Sequence, residues 1–455
     1  MYTVLLSGGS GKRLWPLSND LRSKQYIKVI SNEGGNNKPC SMIQRVWGQL
    51  GEAELADKSI ITASKGQVEI IKSQLGEDVN IVIEPERRNT FPAVAISCAY
   101  LKTVLKASDD ETIVILPVDP YTDNGYFEKL KTLETILKVS KAEIVLMGAK
   151  PTQPSSKYGY IVPKQHTLEV NLSYIEVKGF TEKPTVSLAK ELIEEGALWN
   201  CGVFGFRLGT ILSKIKNYGL NGDYYEMFNH YERLPKISFD YEVLEKSQNI
   251  VAVEYDGVWK DIGTWNALSE QMFDHSIGNV IIHDSCENTN VINELRMPIV
   301  VIGTKDIVIS ASVDGILVSD KQQSTRIKDC VENFTYPPMY EERRWGTITV
   351  LDITKKDGVY TATRKISIFE NMNSSYHYHN DRDEVWTVLA GSGEMVINGI
   401  KQLIMAGDVI RIPSHTKHAV KSLNGIEFLE VQIGRTVADI DINRITVNWG
   451  EIEAR

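Results

Sequence analysis

Three histidines and one carboxylate recur late in the chain at a spacing that suits a metal ion: His377-Tyr378-His379, Glu384 five residues on, and His418 beyond Gly407-x5-Pro413. Imidazole nitrogens with one carboxylate suit Zn²⁺, Fe²⁺, Mn²⁺ or Ni²⁺ and leave room for water or a substrate oxygen. Histidines in a surface turn are the bland alternative, but the chain has only eight His, and three fall in this pattern. At the other end, Gly8-Gly9-Ser10-Gly11-Lys12-Arg13 follows the first apolar run. Glycines there allow backbone N–H groups to approach a polyphosphate, and Lys12 and Arg13 add positive charge. No G-x4-G-K-[ST] can be drawn, and Leu14 stands where a dinucleotide fingerprint needs its third glycine. Alone, the run reads equally as a tight strand-to-loop turn. A lone Asp after a buried strand, such as Asp119, is by itself more often a cap or turn residue than a metal ligand.

The elements that must position these groups follow from apolar periodicity. Thr3–Ser7, Asn80–Glu84, Thr112–Leu116 and Ile144–Met147 read as buried strands. Between them, Ile43, Val46, Trp47 and Leu50, and then Leu130, Leu133 and Leu137, make helical stripes. This alternation predicts βαβ units and a mostly parallel sheet, with ligands at the carboxyl ends of its strands. From about Gly278 the pattern changes to short β-like pieces at roughly ten-residue intervals, without a convincing helix, as in a small β-solenoid or sandwich. Pro337-Pro338 marks an extended linker. Beyond Trp345 the chain again reads as strands, with Asn398-Gly399 as a type I′ hairpin turn. The expected organisation is an α/β domain over 1–275, a β-rich, β-helix-like segment over 276–333, and a β-barrel with its leading linker over 334–455.

Composition bounds the function classes. With 455 residues, 42% hydrophobic and 24% charged, the chain has material for at least two cores. A net charge of −9 argues against a general nucleic-acid binder. Five widely spaced cysteines without a CxxC pair indicate neither a zinc knuckle nor a disulfide framework. No apolar stretch approaches the ~18 residues needed to cross a bilayer, and the N-terminal run lacks the basic region and cleavage site of a signal peptide. The simplest expectation is a cytoplasmic protein, and a homo-oligomer is compatible with the sequence.

Read onward through Arg13-Leu14-Trp15-Pro16-Leu17-Ser18 and Lys24-Gln25, the glycine run resembles the signature of sugar-nucleotide pyrophosphorylases, in particular mannose-1-phosphate guanylyltransferases. Further segments match in order: Glu84-Pro85 with Arg88-Asn89-Thr90, then Leu116-Pro117-Val118-Asp119, Phe180-Thr181-Glu182-Lys183-Pro184, Trp199-Asn200-Cys201-Gly202, and Trp259-Lys260-Asp261-Ile262-Gly263. The resemblance, over about residues 1–330, implies a Rossmann-like nucleotidyltransferase fold and attack of a sugar phosphate on the α-phosphorus of a triphosphate. It implies GTP and mannose 1-phosphate as substrates, Mg²⁺ on Asp119 and Asp261, and triphosphate contacts from Gly8, Gly9, Gly11, Arg13 and Lys24. Lys183 would hold the sugar phosphate, Gly159, Glu182 and Asn200 the sugar, and Glu84 and Asn89 the nucleotide side. Ser23 departs from the usual proline, Pro120 from a histidine and Cys201 from a serine.

The histidine stretch, with Glu384-x6-Gly391, resembles the cupin family, and Arg344-Trp345-Gly346 resembles the opening of the phosphomannose isomerase domains fused to long bacterial guanylyltransferases. That implies Zn²⁺ or another divalent transition metal on His377, His379, Glu384 and His418, with Arg382 against substrate. The loop from His377 to Glu384 is two residues longer than the usual pattern, which leaves isomerase activity open. Two other readings stay open: the same transfer with another sugar or base, and a catalytically silent sugar-nucleotide binder that regulates a partner.

Overall fold

The run Tyr2–Leu6 buries its three central residues, the pattern of a strand covered on both faces. It forms β1 in a computed structural model that describes residues 1–9, 12–31, 38–164, 174–334, 337–436 and 441–453. Gly11, one of the expected phosphate-loop glycines, lies outside the described residues. Following β1 (Tyr2–Leu6) come β2 (Ser59–Ser64), β3 (Ile81–Glu84), β4 (Thr112–Pro117), β5 (Pro120–Thr122), β6 (Ile144–Ala149), β7 (Tyr160–Pro163), β8 (Ile175–Thr181), β9 (Leu198–Arg207), β10 (Ile250–Tyr255) and β11 (Trp259–Asp261). Nine of them form a sheet in the order β3-β2-β1-β4-β9-β6-β10-β8-β7, while β5 and β11 pair separately as a ribbon.

The four expected strands and both helical stripes are present. The stripes lie on Met42–Glu52, capped by a reciprocal Ser41/Gln44 box, and on Asn124–Ser140, where Leu130, Leu133 and Leu137 are buried. Sheet polarity differs from the mostly parallel expectation. Pairings β3–β2, β2–β1, β1–β4 and β6–β10 are parallel, but β9 runs antiparallel between β4 and β6, and β7 and β8 are antiparallel to each other. The βαβ rule applies only where a helix crossover returns the chain in the same direction. Thr90–Thr103 is buried around most of its circumference against the core.

Two compact units result. One comprises Met1–Ser10, Ser23–Val68 and Asp78–Phe273; the other comprises Gly11–Arg22, Glu69–Glu77 and Asp274–Arg455. In the second unit, β12 (Ser276–Gly278), β13 (Val280–Ile282), β14 (Asn290–Asn293), β15 (Ile299–Val301) and β16 (Ile307–Ser312) build a short parallel coil, which β17 (Gly315–Asp320) closes by pairing antiparallel with β16. Ser276 pairs with Val291 and Val291 with Ile309, steps of 15 and 18 residues. Each coil holds two strands, which is why the sequence repeats at about half that step. The segment around Asn19 and Arg22 docks on this coil: Arg22 makes a bidentate pair with Glu294 at 2.8 and 2.9 Å, and Asn19 donates to Asp314 at 2.9 Å. A Cβ at Gly315 would collide with the Trp15 ring.

The expectation of no helix here is corrected by Ile327–Val331, which buries Ile327 and Val331. Two apolar residues at i and i+4 in one short turn carry too little periodicity to register in a sequence window. The barrel follows with β18 (Tyr340–Arg343), β19 (Gly346–Lys356), β20 (Val359–Ile368), β21 (Tyr376–Tyr378), β22 (Arg382–Ile397), β23 (Ile400–Met405), β24 (Val409–Ile412), β25 (His418–Gly434) and β26 (Asn443–Thr446). The predicted hairpin joins β22 to β23, with Asn398 and Gly399 at φ 46° and 82° and Ile397 opposite Ile400, as a type I′ turn requires. All five cysteines are free thiols. Among the described residues no helix is long and apolar enough to cross a membrane.

Candidate active site and metal centre

Asp119 lies between β4 and β5, and Asp261 ends β11. Antiparallel pairing puts Pro120 opposite Asp261, so two residues distant in sequence meet at one end of the ribbon. Lys24 Nζ sits 2.7 Å from Asp119 Oδ2 and 3.6 Å from Asp261 Oδ1. Gly263 permits the approach, since a Cβ there would lie 3.0 Å from Asp261 Oδ1 and 3.3 Å from Lys24 Nζ. Both carboxylates remain about one-third exposed, at 37% and 36%, which leaves them open to an incoming cation or phosphate. Two carboxylates beside an ammonium suit a hard divalent ion and an anionic ligand together.

A second cluster forms where β8, β9 and the Tyr158–Tyr160 segment meet. Lys183 adopts a left-handed backbone (φ 47°), and its Nζ lies 2.5 Å from Glu182 Oε1. Gly159 is required, because a Cβ there would fall 2.5 Å from Glu182 Oε2 and 2.6 Å from the Phe180 ring. Asn200 donates its backbone N–H to Gly159 O at 2.8 Å, accepts from Gly202 N at 3.0 Å, and donates Nδ2 to Asp240 Oδ1 at 3.2 Å. The structure thus brings together all four expected sugar-side residues and adds Asp240, which no sequence motif had marked. Burial, then the charge of Glu182, push the Asp240 carboxyl up to about 6.

The remaining expected residues are placed as follows. Gly8 and Gly9 are exposed, Gly9 with φ 121°, and Gly9 O accepts from Ser23 Oγ at 2.9 Å. Ser23 in turn accepts from Gln67 Nε2 at 2.9 Å, so the serine that stands for the usual proline ties the glycine loop down. Arg13 is exposed and belongs to the second unit. Glu84 accepts from Tyr231 Oη at 2.9 Å and Arg88 N at 3.3 Å, and burial raises its pKa above the ordinary carboxylate value. Asn89 caps the helix Thr90–Thr103 by accepting from Thr90 N at 2.8 Å.

Inside the barrel, His377 stands opposite His418 in the strand register, and the ligand atoms of His377, His379 and His418 lie within 4.8 Å of one another. Each Nδ1 faces a backbone carbonyl: Ser375 O at 2.8 Å, Asp441 O at 3.2 Å and Thr416 O at 2.9 Å respectively. A carbonyl only accepts, so each Nδ1 carries a proton, which in the neutral tautomer leaves Nε2 as the free lone pair facing inward. His418 Nε2 is buried without a hydrogen-bond partner among the described residues. His379 Nε2 lies 2.9 Å from Glu384 Oε1 and His418 Nε2 3.5 Å from Oε2. Acceptor facing acceptor at such distances calls for a proton or a cation between them, so these four residues fit a divalent transition ion.

Glu384 is further held by Arg382 Nε at 3.3 Å, Trp386 Nε1 at 3.1 Å and Gln432 Nε2 at 3.0 Å. Burial opposes its charge, but the neighbouring His379 and His418 rings hold its pKa well below the usual carboxylate range. Glu430, bonded to Gln432 at 2.9 Å, is pushed up to about 8 by burial and then by Glu384. Trp386, Glu430 and Gln432 escaped the motif reading, yet they lie at period-two positions on β22 and β25, the inward face of the barrel. A cavity of about 80 Å³ borders the cluster, lined also by Arg343, Arg364 and Arg444.

A family model described as nucleotidyl transferase matches residues 2–276, more than half of the chain. The chain belongs to the nucleotidyl transferase family. A second model, mannose-6-phosphate isomerase C-terminal, matches residues 336–447 of this transferase, the cupin-like barrel. Full-length relatives are similar throughout: mannose-1-phosphate guanylyltransferase of Klebsiella pneumoniae is 28% identical over 487 residues, covering 99% of both chains. The alginate biosynthesis protein AlgA of Pseudomonas putida is 28% identical over 488 residues, covering 99% of this chain and 96% of its own. A crystal structure described as mannose-1-phosphate geranyltransferase from Thermus thermophilus superposes with a TM-score of 0.58 at 24% identity. That likeness covers 74% of this chain and 99% of the other, and it bears on the fold alone.

Proposed function

We propose that this transferase moves GMP from GTP to mannose 1-phosphate, giving GDP-mannose and pyrophosphate. The observation that carries the reading is Lys24 bracketed by Asp119 and Asp261 at 2.7 and 3.6 Å, in a chain similar end to end to guanylyltransferases. Two anions must meet for this reaction, so positioning and charge neutralisation are the main tasks. Backbone N–H groups of Gly8 and Gly9 would cradle the triphosphate, and Lys24 would neutralise it and the leaving pyrophosphate. Asp119 and Asp261 would hold Mg²⁺, which supplies a hard Lewis acid at the phosphates. Lys183 would take the sugar phosphate, while Glu182, Asn200 and the open face at Gly159 would meet the sugar hydroxyls. Glu84 and Asn89, given their bonds to Tyr231 and Thr90, would shape the nucleotide side from behind.

For the barrel, the same reading assigns interconversion of mannose 6-phosphate and fructose 6-phosphate, with His377, His379, Glu384 and His418 holding Zn²⁺ or another divalent transition ion. That ion would supply polarisation of a sugar carbonyl. Arg382, fully buried beside Glu384 and His379, would orient the ligand set and meet substrate oxygen. The division into 1–275, 276–333 and 334–455 belongs to this proposal, as does a cytoplasmic setting. Incubation with GTP, mannose 1-phosphate and Mg²⁺ should yield GDP-mannose on chromatography, and its absence with every nucleoside triphosphate would sink the transferase assignment. Metal-loaded protein should convert fructose 6-phosphate to mannose 6-phosphate; no turnover with a full metal complement removes the isomerase half.

A further inference from the structure

Asp240 opens a π-turn, Asp240–Leu244, beside the Glu182–Lys183–Asn200 cluster. We propose that Asp240 is a positioning residue of the sugar-phosphate site, acting through the Asn200 amide and the Lys183 ammonium. The proposal rests on the transferase reading above. Asn200 has its Oδ1 fixed by Gly202 N at 3.0 Å and one Nδ2 hydrogen fixed by Asp240 Oδ1 at 3.2 Å. A flipped amide would set donor against donor at Gly202 and acceptor against acceptor at Asp240. The orientation is therefore determined, and the second Nδ2 hydrogen remains as a donor for a ligand. Lys183 lies 2.5 Å from Glu182, and after burial, which opposes its charge, the negative charges of Glu182 and Asp240 raise its pKa.

Two acidic groups therefore bear on one lysine, whose side chain stays open to solvent while Glu182 is nearly covered. The groups bearing on Asp240 are Glu182 and Lys183 beyond β8, Asn200 on β9, and Ser238 beside it on its own segment. Burial and Glu182 together disfavour its ionised form. A residue present only for packing would not need that charge, since Asn fills the same volume without repelling Glu182. A carboxylate retained against its environment marks a site where charge is used. Here the use is to hold Asn200 and Lys183 ready for a sugar hydroxyl and a phosphate.

Asp240→Asn separates this role from a structural one. Losing a charge-assisted bond should raise KM for mannose 1-phosphate ~10-fold, leave KM for GTP unchanged, and raise the melting midpoint at alkaline pH. Equal increases in both KM values with a lower midpoint mean that Asp240 supports the fold, and overturn the proposal. Calorimetric titration of mannose 1-phosphate into both proteins keeps the two readings apart. Equal affinity in both overturns the role of Asp240 alone. A wild-type protein that neither binds nor turns over mannose 1-phosphate contradicts the transferase reading and this inference with it. Binding by wild type that is lost in the variant, without turnover in either, supports the site and sinks the reaction.

Discussion

Gly159→Ala perturbs the sugar side of the transferase by a single methyl group. Backbone strain does not enter, because Gly159 is not among the positive-φ residues; the effect is space alone. The new Cβ would lie 2.5 Å from Glu182 Oε2, 2.6 Å from Phe180 Cζ and 3.2 Å from Phe180 Cε2. Ordinary contact begins near ~3.5 Å, so both side chains must retreat by roughly 1 Å. The Glu182 side chain is only 10% exposed and holds Lys183 at 2.5 Å, so the lysine is carried with it. Overpacking of this kind costs ~1–3 kcal/mol, which a fold of ordinary stability tolerates. A ~1 Å misplacement of a substrate-positioning group costs ~10²-fold in rate, so the kinetic effect dominates. Pyrophosphate release at varied mannose 1-phosphate should show kcat/KM down ~10²-fold in a protein that still melts cooperatively. Gly51→Ala, on the exposed face of Met42–Glu52 with nothing within 4 Å of its Cβ, should leave kinetics unchanged and add ~0.5–1 kcal/mol of stability. A folded Gly159→Ala protein whose kcat/KM stays within about threefold of wild type refutes this placement of the sugar.

Asp261→Asn keeps the shape of its side chain but removes a charge beside Lys24, and turnover should fall at least ~10²-fold; a wild-type rate contradicts its role. His377→Ala combined with His379→Ala should strip the barrel of bound transition metal on elemental analysis, and equal metal content in both proteins rules out the ligand set. Asp240 predicts a pH-dependent stability difference. Its folded pKa of about 6 exceeds the ordinary 3.8, so the folded state favours the neutral acid. Stability is complete below pH ~4 and is lost as pH rises through ~6, by about 3 kcal/mol above that. Asp240→Asn should therefore melt higher than wild type near pH ~8 and converge on it only below pH ~4; a pH-independent difference is the contrary result. Ser41→Ala, which breaks the capping box of Met42–Glu52, should cost ~1 kcal/mol in denaturant titration without altering KM for either substrate.

The parts of this fold that sequence discloses are those written in local periodicity. Ile113, Val114 and Ile115 are all fully buried, and an uninterrupted apolar run of that length has few other uses. Asn398-Gly399 carries its turn type in its own residues. By contrast, the antiparallel insertion of β9 between β4 and β6 depends on long-range pairing that no window of sequence contains. Site residues divide the same way. His377 and His379 are neighbours on one strand, so their spacing announces them. Asp119 and Asp261 meet only through the β5–β11 register, and the family pattern, not local periodicity, brought them forward. Asp240 sits in an unremarkable Phe239-Asp240-Tyr241 stretch. Its significance comes from Asn200, forty residues earlier. The docking of Trp15 and Arg22 onto the β-coil is equally hidden, because its partners Gly315 and Glu294 lie far along the chain.

The identity of the transferred group is tested most directly by one substrate matrix: pyrophosphate release by the wild-type chain with each of the four common nucleoside triphosphates, against mannose 1-phosphate and a panel of other sugar 1-phosphates. GTP with mannose 1-phosphate should exceed every other combination in kcat/KM and should require Mg²⁺. A preference for UTP, dTTP or ATP, or for another sugar with GTP, would contradict the guanylyltransferase assignment while leaving the nucleotidyl transfer chemistry in place.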